Sequence, residues 1–235
     1  MAHILHKANT RGHAAHGWLE SRHTFSFAGY HDPERIRFGV LRVLNDDIVA
    51  PGMGFGRHPH DNMEIISIPL SGALEHHDSM GNKTVIREND VQIMSAGTGV
   101  EHSEMNHHRD REVRFLQIWV FPDRRGYPPR YDQKNFLADG RNNEFQCVVC
   151  PEGNGSGVHI RQNAWFHRVD LLPGFSITYS LKHPGNGLYV FVLEGQTNAD
   201  GYLLEKRDGL GITDREQIPF LSDSGCSLLL MEVPV

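Results

Sequence analysis

Cysteine is scarce in this sequence, and the few cysteines present do not form a disulfide framework. There are 3, an odd number, in 235 residues, whereas small disulfide-stabilised folds carry an even and dense set. Cys147 and Cys150 have redox-motif spacing in CVVC, but they lie in a strand-like run with no helix after it. We interpret them as small core residues. This cysteine usage is typical of a reducing compartment, so we expect a cytoplasmic location.

Long apolar runs and runs of positive charge are also absent. No window approaches the ~18 apolar residues of a membrane-spanning helix, and the stretch MAHILHKANTRGH has no signal-peptide hydrophobic region. A net charge of −6 and a pI of about 6.2 provide no basic footprint for a nucleic acid. We therefore expect neither membrane contact nor direct nucleic-acid binding.

Helical periodicity is likewise rare, and short strand-like runs take its place. These runs, separated by turn residues, are FGVLRVLN, MEIISIPL, VQIMSA, RFLQIWVFP, FQCVVC, FSITYSL, LYVFVLEG and SLLLMEVPV. Many short strands at close spacing are typical of a β-sandwich or β-barrel. The sequence therefore predicts an all-β protein.

The strand rhythm is interrupted near the middle of the chain by DRRGYPPRYDQKNF, residues 123–136. This Pro- and Arg-rich segment is typical of a linker. On either side of it, ISIPLSGALEHHDS and VFVLEGQTNADGY share a pattern of strand, glycine and polar strand. We predict two tandem antiparallel β-barrels of jelly-roll type, formed by residues 1–122 and 137–235.

Histidine is the abundant residue type, with 16 copies. In an extended strand, side chains two positions apart share a face, so His58, His60 and Glu64 have the same parity. An isolated HPH pair fits two solvent-facing histidines equally well. A second pair, His102 and Glu104, follows a Gly-rich turn and favours a metal site, because imidazole and carboxylate together suit divalent transition metals.

These two stretches resemble the two motifs of the cupin superfamily. GMGFGRHPHDNMEIISIPLSG is similar to the first motif and GTGVEHSEMN to the second. Together with HGWLESRHTFSFAGYHDP, LRVLNDD and HHDSMGN, they resemble the pirin family, particularly its bacterial members of quercetinase type. The resemblance implies a bicupin in which residues 1–122 carry the metal motif and residues 137–235 carry none.

Two carboxylates compete for the fourth ligand position, because strand parity permits both Glu64 and Glu104. Pirins use the glutamate of HSE, so the resemblance favours Glu104 and leaves Glu64 as a hydrogen-bond acceptor that orients a ligand histidine. The implied ligand set is His58, His60, His102 and Glu104 around one divalent metal ion. Fe(II) is expected, and Ni, Cu, Mn, Co and Zn are alternatives.

The resemblance implies a metal-dependent quercetin 2,3-dioxygenase, which opens the central ring of flavonols with O2. Glu104 would be the catalytic base that accepts the proton of the flavonol 3-hydroxyl group. The flat rings need an apolar wall, for which Phe25, Phe27, Met53 and Phe55 are candidates. The expected partners are a flavonol and O2, and we expect a monomer.

Two other classes of function fit the same motifs. One is an iron-containing, redox-sensing transcription co-regulator or protein-binding module, the role described for animal pirins. The other is a different cupin activity, such as zinc-dependent sugar isomerisation or oxidation of another enolisable diketone or a catechol. The remaining histidines, among them His23 and the adjacent pair His76 and His77, are interpreted as surface or hydrogen-bonded residues.

Overall fold

The computed structural model describes residues 3–235, and most of them belong to β-strands or to the turns between strands. The helical turns in this described range are two short 3-10 helices, Ala8–Thr10 and Ala138–Arg141. None of its helices is long and apolar enough to cross a membrane. The all-β prediction is confirmed.

Twelve strands precede residue 136. They are β1 (His3–His6), β2 (Gly12–Ala15), β3 (Leu19–His23), β4 (Leu41–Val49), β5 (Gly54–His60), β6 (Glu64–Ser71), β7 (Ala73–Asp78), β8 (Lys83–Arg87), β9 (Asp90–Ser95), β10 (Val100–Asn106), β11 (Val113–Val120) and β12 (Arg130–Asn135). The remaining strands are β13 (Gln146–Pro151), β14 (Val158–Ile160), β15 (Trp165–Leu171), β16 (Phe175–Ser180), β17 (Asn186–Ala199), β18 (Tyr202–Glu205), β19 (Gly209–Ile212), β20 (Gln217–Ser222) and β21 (Cys226–Pro234).

Three sheets build two cupin domains. The N-terminal domain has a seven-stranded sheet, β12-β9-β6-β11-β4-β3-β2, and a four-stranded sheet, β5-β10-β7-β8. The C-terminal domain has a ten-stranded sheet with the order β1-β19-β17-β21-β15-β13-β14 and with β16, β18 and β20 attached beside it. The predicted bicupin is confirmed, and its sheets form jelly-roll sandwiches rather than closed barrels.

Both domains extend beyond the predicted boundaries. The segment predicted as a linker, residues 123–136, contributes β12, which pairs with β9 from Arg130 opposite Ser95 to Asn135 opposite Asp90. Pairing satisfies backbone groups that the edge of β9 would otherwise leave open. At the other end of the chain, β1 crosses over and pairs with β19 of the C-terminal sheet.

The central strands of the seven-stranded sheet, β6, β9 and β11, are buried on both faces along most of their length. Along β11, Leu116 and Ile118 belong to the same apolar cluster as Phe166 of the C-terminal domain. The alternate residues Gln117 and Trp119 line a cavity inside the N-terminal domain. A strand covered on both faces has a continuous apolar run, and this explains why RFLQIWVFP shows little alternation.

We expect Phe166→Ala to destabilise the whole protein, because Phe166 is fully buried in the cluster that joins the two domains. Truncation of a buried Phe costs about 3–5 kcal/mol, and the shared cluster should keep urea unfolding in one transition. The matched control is Phe175→Ala, since Phe175 is 38% exposed on β16. Equal midpoints for the two variants in urea titrations followed by fluorescence would contradict a shared core.

Candidate metal centre

Two paired strands bring the three predicted histidines together. In the antiparallel pair of β5 and β10, His102 lies opposite His58, and Val100 lies opposite His60. The Nε2 atoms of His58 and His102 are 3.0 Å apart, and the ring centroids of His60 and His102 are 4.9 Å apart. One ligand atom from each histidine lies within 4.8 Å of the others. Three nitrogens therefore converge from residues far apart in sequence.

Glu104 lies beyond an irregularity in the same strand pair. The register between β10 and β5 shifts between His102 and Glu104, and the Glu104 side chain is buried. Its carboxylate accepts hydrogen bonds from Ser67 Oγ at 2.7 Å and from Gln117 Nε2 at 2.5 Å. Glu104 also forms a second group of possible ligands with His102 and the buried His76, whose ligand atoms lie within 4.8 Å of one another.

Glu64 has other contacts than those expected from parity. The chain turns between the end of β5 at His60 and the start of β6 at Glu64, so the two residues belong to different strands. The Glu64 carboxylate accepts hydrogen bonds from Ser95 Oγ at 2.8 Å and from the backbone N–H of Arg161 at 3.1 Å. Among its side-chain hydrogen bonds within residues 3–235, the one from Arg161 joins the two domains, and none involves a histidine.

The histidines and Glu104 line one cavity of about 390 Å³. Its walls contain two edge-to-face aromatic pairs, Trp18 with Phe55 and Phe27 with Trp119, each with ring centroids 5.3 Å apart. The Trp119 ring also contacts His60, with centroids 5.0 Å apart. The aromatic walls therefore begin directly beside the histidine cluster.

Two of the four predicted wall residues line this cavity, namely Phe27 and Phe55. Phe25 instead packs against Tyr189 of the C-terminal domain, and Met53 is exposed. The two tryptophans of the wall were not predicted. Their type is a usable signal, because aromatic residues dominate ligand-binding walls, but only the fold selects which aromatic residues face the cavity.

A row of buried polar residues crosses the inner face of the seven-stranded sheet. Its members lie directly opposite one another on adjacent strands: His23 on β3, Asn45 on β4, Gln117 on β11 and Ser67 on β6. His23 Nδ1 and Asn45 Oδ1 are 3.0 Å apart. Neighbouring strands are about 4.8 Å apart, so the row extends about 10 Å from Gln117 to His23. Polar residues at inward positions of apolar strands are the sequence signal that was missed here.

Beside this row, a second pair completes the polar end of the cavity. Ser21 lies opposite Asp47 and donates a hydrogen bond to its carboxylate, and both line the cavity. Burial raises the pKa of Asp47 to about 7, although the hydrogen bond from Ser21 opposes that shift. Near neutral pH, the Asp47 carboxyl group therefore exchanges between a hydrogen-bond acceptor and a donor.

The protonation state of the histidine cluster fits a metal ion. Burial, followed by the neighbouring histidines, lowers the pKa of His60 to about 4 and that of His102 to about 3. Both rings are therefore neutral at pH 7, and neutral imidazole is the form that binds a metal. Three imidazoles with a carboxylate form a mixed N/O donor set, which fits a divalent transition metal.

Comparison with known proteins identifies the family. Residues 5–120 match the Pirin family model, and residues 147–233 match the model of the quercetinase C-terminal cupin domain. A quercetin 2,3-dioxygenase of Escherichia coli (strain K12) is 41% identical over 231 residues, which are 98% of this chain and 98% of the relative. The chain belongs to the pirin family.

Other pirins cover the chain to a similar extent. A pirin-like protein of Caulobacter vibrioides is 37% identical over 222 residues, 94% of this chain and 95% of the relative. The structure of a bacterial pirin from Escherichia coli in complex with nickel(II) has a TM-score of 0.93 at 39% identity, covering 99% of each chain. The resemblance seen in the sequence motifs therefore extends over both domains.

We expect the metal-free protein to lose stability as the pH falls from about 6.5 to about 4. Burial lowers the pKa to about 4 for His6 and His60 and to about 3 for His102 and His167. The unfolded rings take up protons below pH ~6.5, whereas the folded rings do so only near pH 4 or 3. Because the unfolded state binds more protons in this window, stability rises with pH across it.

Thermal midpoints measured at several pH values with a chelator present test this expectation. The raised pKa values of Asp47 and Glu64 act in the opposite direction, but they are two groups against five histidines, because burial also lowers the pKa of His23. The double variant His60→Asn, His102→Asn removes two of these five rings and should have a shallower dependence on pH. A flat wild-type profile from pH 6.5 to 4 would contradict the burial of neutral histidines.

Proposed function

We propose that this pirin is a metal-dependent dioxygenase that opens the central ring of flavonols such as quercetin with O2. One observation carries the proposal: His58, His60, His102 and Glu104 face a cavity whose walls are aromatic. Its volume of about 390 Å³ is within the range of pockets that enclose a small ligand. The name of the Escherichia coli relative, quercetin 2,3-dioxygenase, supports the same substrate class.

The three histidines and Glu104 would hold one divalent metal ion through three nitrogens and one carboxylate oxygen. The convergence of the histidine nitrogens within 4.8 Å and the neutral state of His60 and His102 fit such an ion. When bound, the metal supplies a Lewis acid that polarises the flavonol oxygens. We propose Fe(II) first and Ni(II) second, since a bacterial pirin was solved with nickel(II). Cu, Mn, Co and Zn also suit this donor set.

Glu104 is the proposed general base. The O–H bond of the flavonol 3-hydroxyl group breaks, the electron pair stays on the flavonol oxygen, and the proton moves to a carboxylate oxygen of Glu104. Ser67 and Gln117 each donate one hydrogen bond to this carboxylate. Each carboxylate oxygen has two lone pairs and uses one of them for these hydrogen bonds, so one remaining lone pair would bind the metal and the other would accept the proton. The two donors therefore orient the base without using up its acceptor sites.

The aromatic walls orient the flat rings and exclude water. Trp18 and Phe55 provide one apolar edge-to-face pair, and Phe27 and Trp119 provide the other. A flavonol whose 3-hydroxyl group reaches Glu104 would extend along the polar row. Its far ring then approaches the polar end of the cavity, where Ser21, His23, Asn45 and Asp47 can exchange hydrogen bonds with ring hydroxyl groups.

The first test is oxygen uptake on adding quercetin to protein of known metal content. We expect Glu104→Gln to lower the turnover rate about 100-fold or more, since loss of a general base typically costs 10²–10⁴-fold. The matched control is Glu101→Gln, because Glu101 is exposed on the same strand and pairs with Arg57. Elemental analysis by mass spectrometry should find one metal ion per wild-type chain.

Three negative outcomes of this test would overturn different parts of the proposal. Metal without oxygen uptake in the wild type would overturn the dioxygenase and favour a redox-sensing binding module. Protein that takes up no metal under any loading condition would overturn the metal centre. Full activity of Glu104→Gln would leave the dioxygenase but remove its proposed base.

We further expect Asp47→Asn to change the preference among flavonols. The amide still forms hydrogen bonds but lacks the negative charge of the ionised carboxyl group, and a hydrogen bond to a charged group contributes about 1 kcal/mol more than a neutral one. The ratio of kcat/KM between a flavonol with hydroxyl groups on its pendant ring and one without should therefore fall by about 3–10-fold. The matched control is Asp46→Asn, because Asp46 faces the other side of β4 and pairs with Arg207. An unchanged ratio in Asp47→Asn would show that this end of the cavity does not contact the pendant ring.

A further inference from the structure

His76 approaches the candidate metal centre from a third strand. The pairing of β7 with β10 places His76 opposite Glu104 and Asp78 opposite His102. The side chains of His76 and Asp78 are both fully buried. His102 and Glu104 line the cavity, whereas His76 is not one of the lining residues in the described chain. His76 therefore reaches the cluster from behind, away from the substrate side.

Asp78 determines which nitrogen of His76 carries the hydrogen. The two side chains are joined by a 3.1 Å contact between His76 Nε2 and Asp78 Oδ2. The Asp78 carboxylate also accepts hydrogen bonds from the backbone of Met80 and from the backbone and side chain of Asn82. A carboxylate held by such donors is an acceptor only, so Nε2 of His76 is the N–H donor. In the neutral ring, Nδ1 is left as an acceptor.

His102 has a ring N–H group that requires a hydrogen-bond acceptor. Its Nε2 atom faces His58 Nε2 at 3.0 Å, on the ligand side of the cluster, so its Nδ1 atom carries the hydrogen when Nε2 is the metal ligand. Within residues 3–235, the Nδ1 atoms of His102 and His76 are both buried without a hydrogen-bond partner. The two ring centroids are 5.4 Å apart. One unpaired donor and one unpaired acceptor thus lie on neighbouring rings.

Leaving both atoms unpaired would be costly, since an unsatisfied buried polar group costs about 1–3 kcal/mol. A ring nitrogen of His76 and a ring nitrogen of His102 lie within 4.8 Å of each other, so the two rings are immediate neighbours. His58 already shows the equivalent arrangement, because its Nδ1 atom donates to the carbonyl oxygen of Gly56 at 2.7 Å. Ligand histidines normally donate their second N–H group to such an acceptor, which sets the tautomer and the ring orientation.

We propose that Asp78 and His76 are positioning residues for the metal, in a hydrogen-bonded chain in which His102 Nδ1–H donates to His76 Nδ1 and His76 Nε2–H donates to Asp78. The chain holds His102 in the tautomer that presents Nε2 to the metal. This inference rests on the metal centre of the proposed function and adds two residues that are not ligands. It also accounts for a histidine and an aspartate buried side by side.

Metal affinity tests the chain directly. We expect His76→Gln and Asp78→Asn to weaken Zn(II) or Ni(II) binding about 10–100-fold in chelator competition, the usual effect of losing a partner of a ligand histidine. The matched control is His77→Gln, since His77 is the next residue of β7, its side chain is exposed and it pairs with Glu75. Thermal midpoints of the metal-free proteins verify folding. Unchanged affinity in folded His76→Gln and Asp78→Asn would overturn the proposal.

A spectroscopic measurement on the wild type needs no variant to fold. In Zn(II)-loaded protein labelled with 15N-histidine, we expect His102 to carry its hydrogen on Nδ1 and His76 on Nε2, with a slowly exchanging His102 N–H proton. A His76 ring protonated on Nδ1 would overturn the chain. Two metal ions per chain would also overturn it, because His76 would then be a ligand of a second ion with His102 and Glu104.

These readouts separate the chain from the activity. If oxygen uptake with flavonols is absent but His76→Gln and Asp78→Asn still lose metal affinity, the positioning role stands and the dioxygenase fails. If oxygen uptake is present and the affinities of these variants are unchanged, the dioxygenase stands and the positioning role fails.

Discussion

The antiparallel pairing of β10 between β5 and β7 is the constraint on which the candidate metal centre depends. On one side, β10 places His102 opposite His58; on the other, it places Glu104 opposite His76. Backbone hydrogen bonds set both registers, and a slip by one residue would turn every side chain of β10 to the other face. The site therefore requires an intact four-stranded sheet before any metal is present.

The seven-stranded sheet provides the hydrogen-bond donors to Glu104 and the apolar contact with the C-terminal domain. One of its faces is apolar and joins the C-terminal domain, as Leu116 shows. Its other face carries Ser67 and Gln117, which donate to the Glu104 carboxylate from across the sandwich. Burying such polar groups costs free energy unless they are paired, and their mutual hydrogen bonds offset that cost. The C-terminal domain covers the outer face of this sheet and forms the apolar core with it. The inner face can therefore carry polar residues without loss of that core.

Local pattern predicted much of this protein. Strands have a period of two, so the spacing of His58 and His60 and of His102 and Glu104 indicated shared faces before any fold was known. The many short strand-like runs, together with the scarcity of helical periodicity, predicted the all-β class. The interpretation of residues 123–136 as a linker was less accurate, because the composition around Pro128 and Pro129 concealed the strand Arg130–Asn135 that completes the N-terminal sheet.

What the sequence by itself determined is therefore the strand content, the tandem organisation and the residues of the candidate metal centre, since the pattern behind each lies within short stretches of the chain. Only the tertiary structure decided that Glu104 rather than Glu64 lies beside His102, that Trp119 lines the cavity, and that His76 lies behind it. These outcomes depend on strand register and on sheet packing. Both bring together residues that are distant along the chain, and no local pattern encodes that proximity.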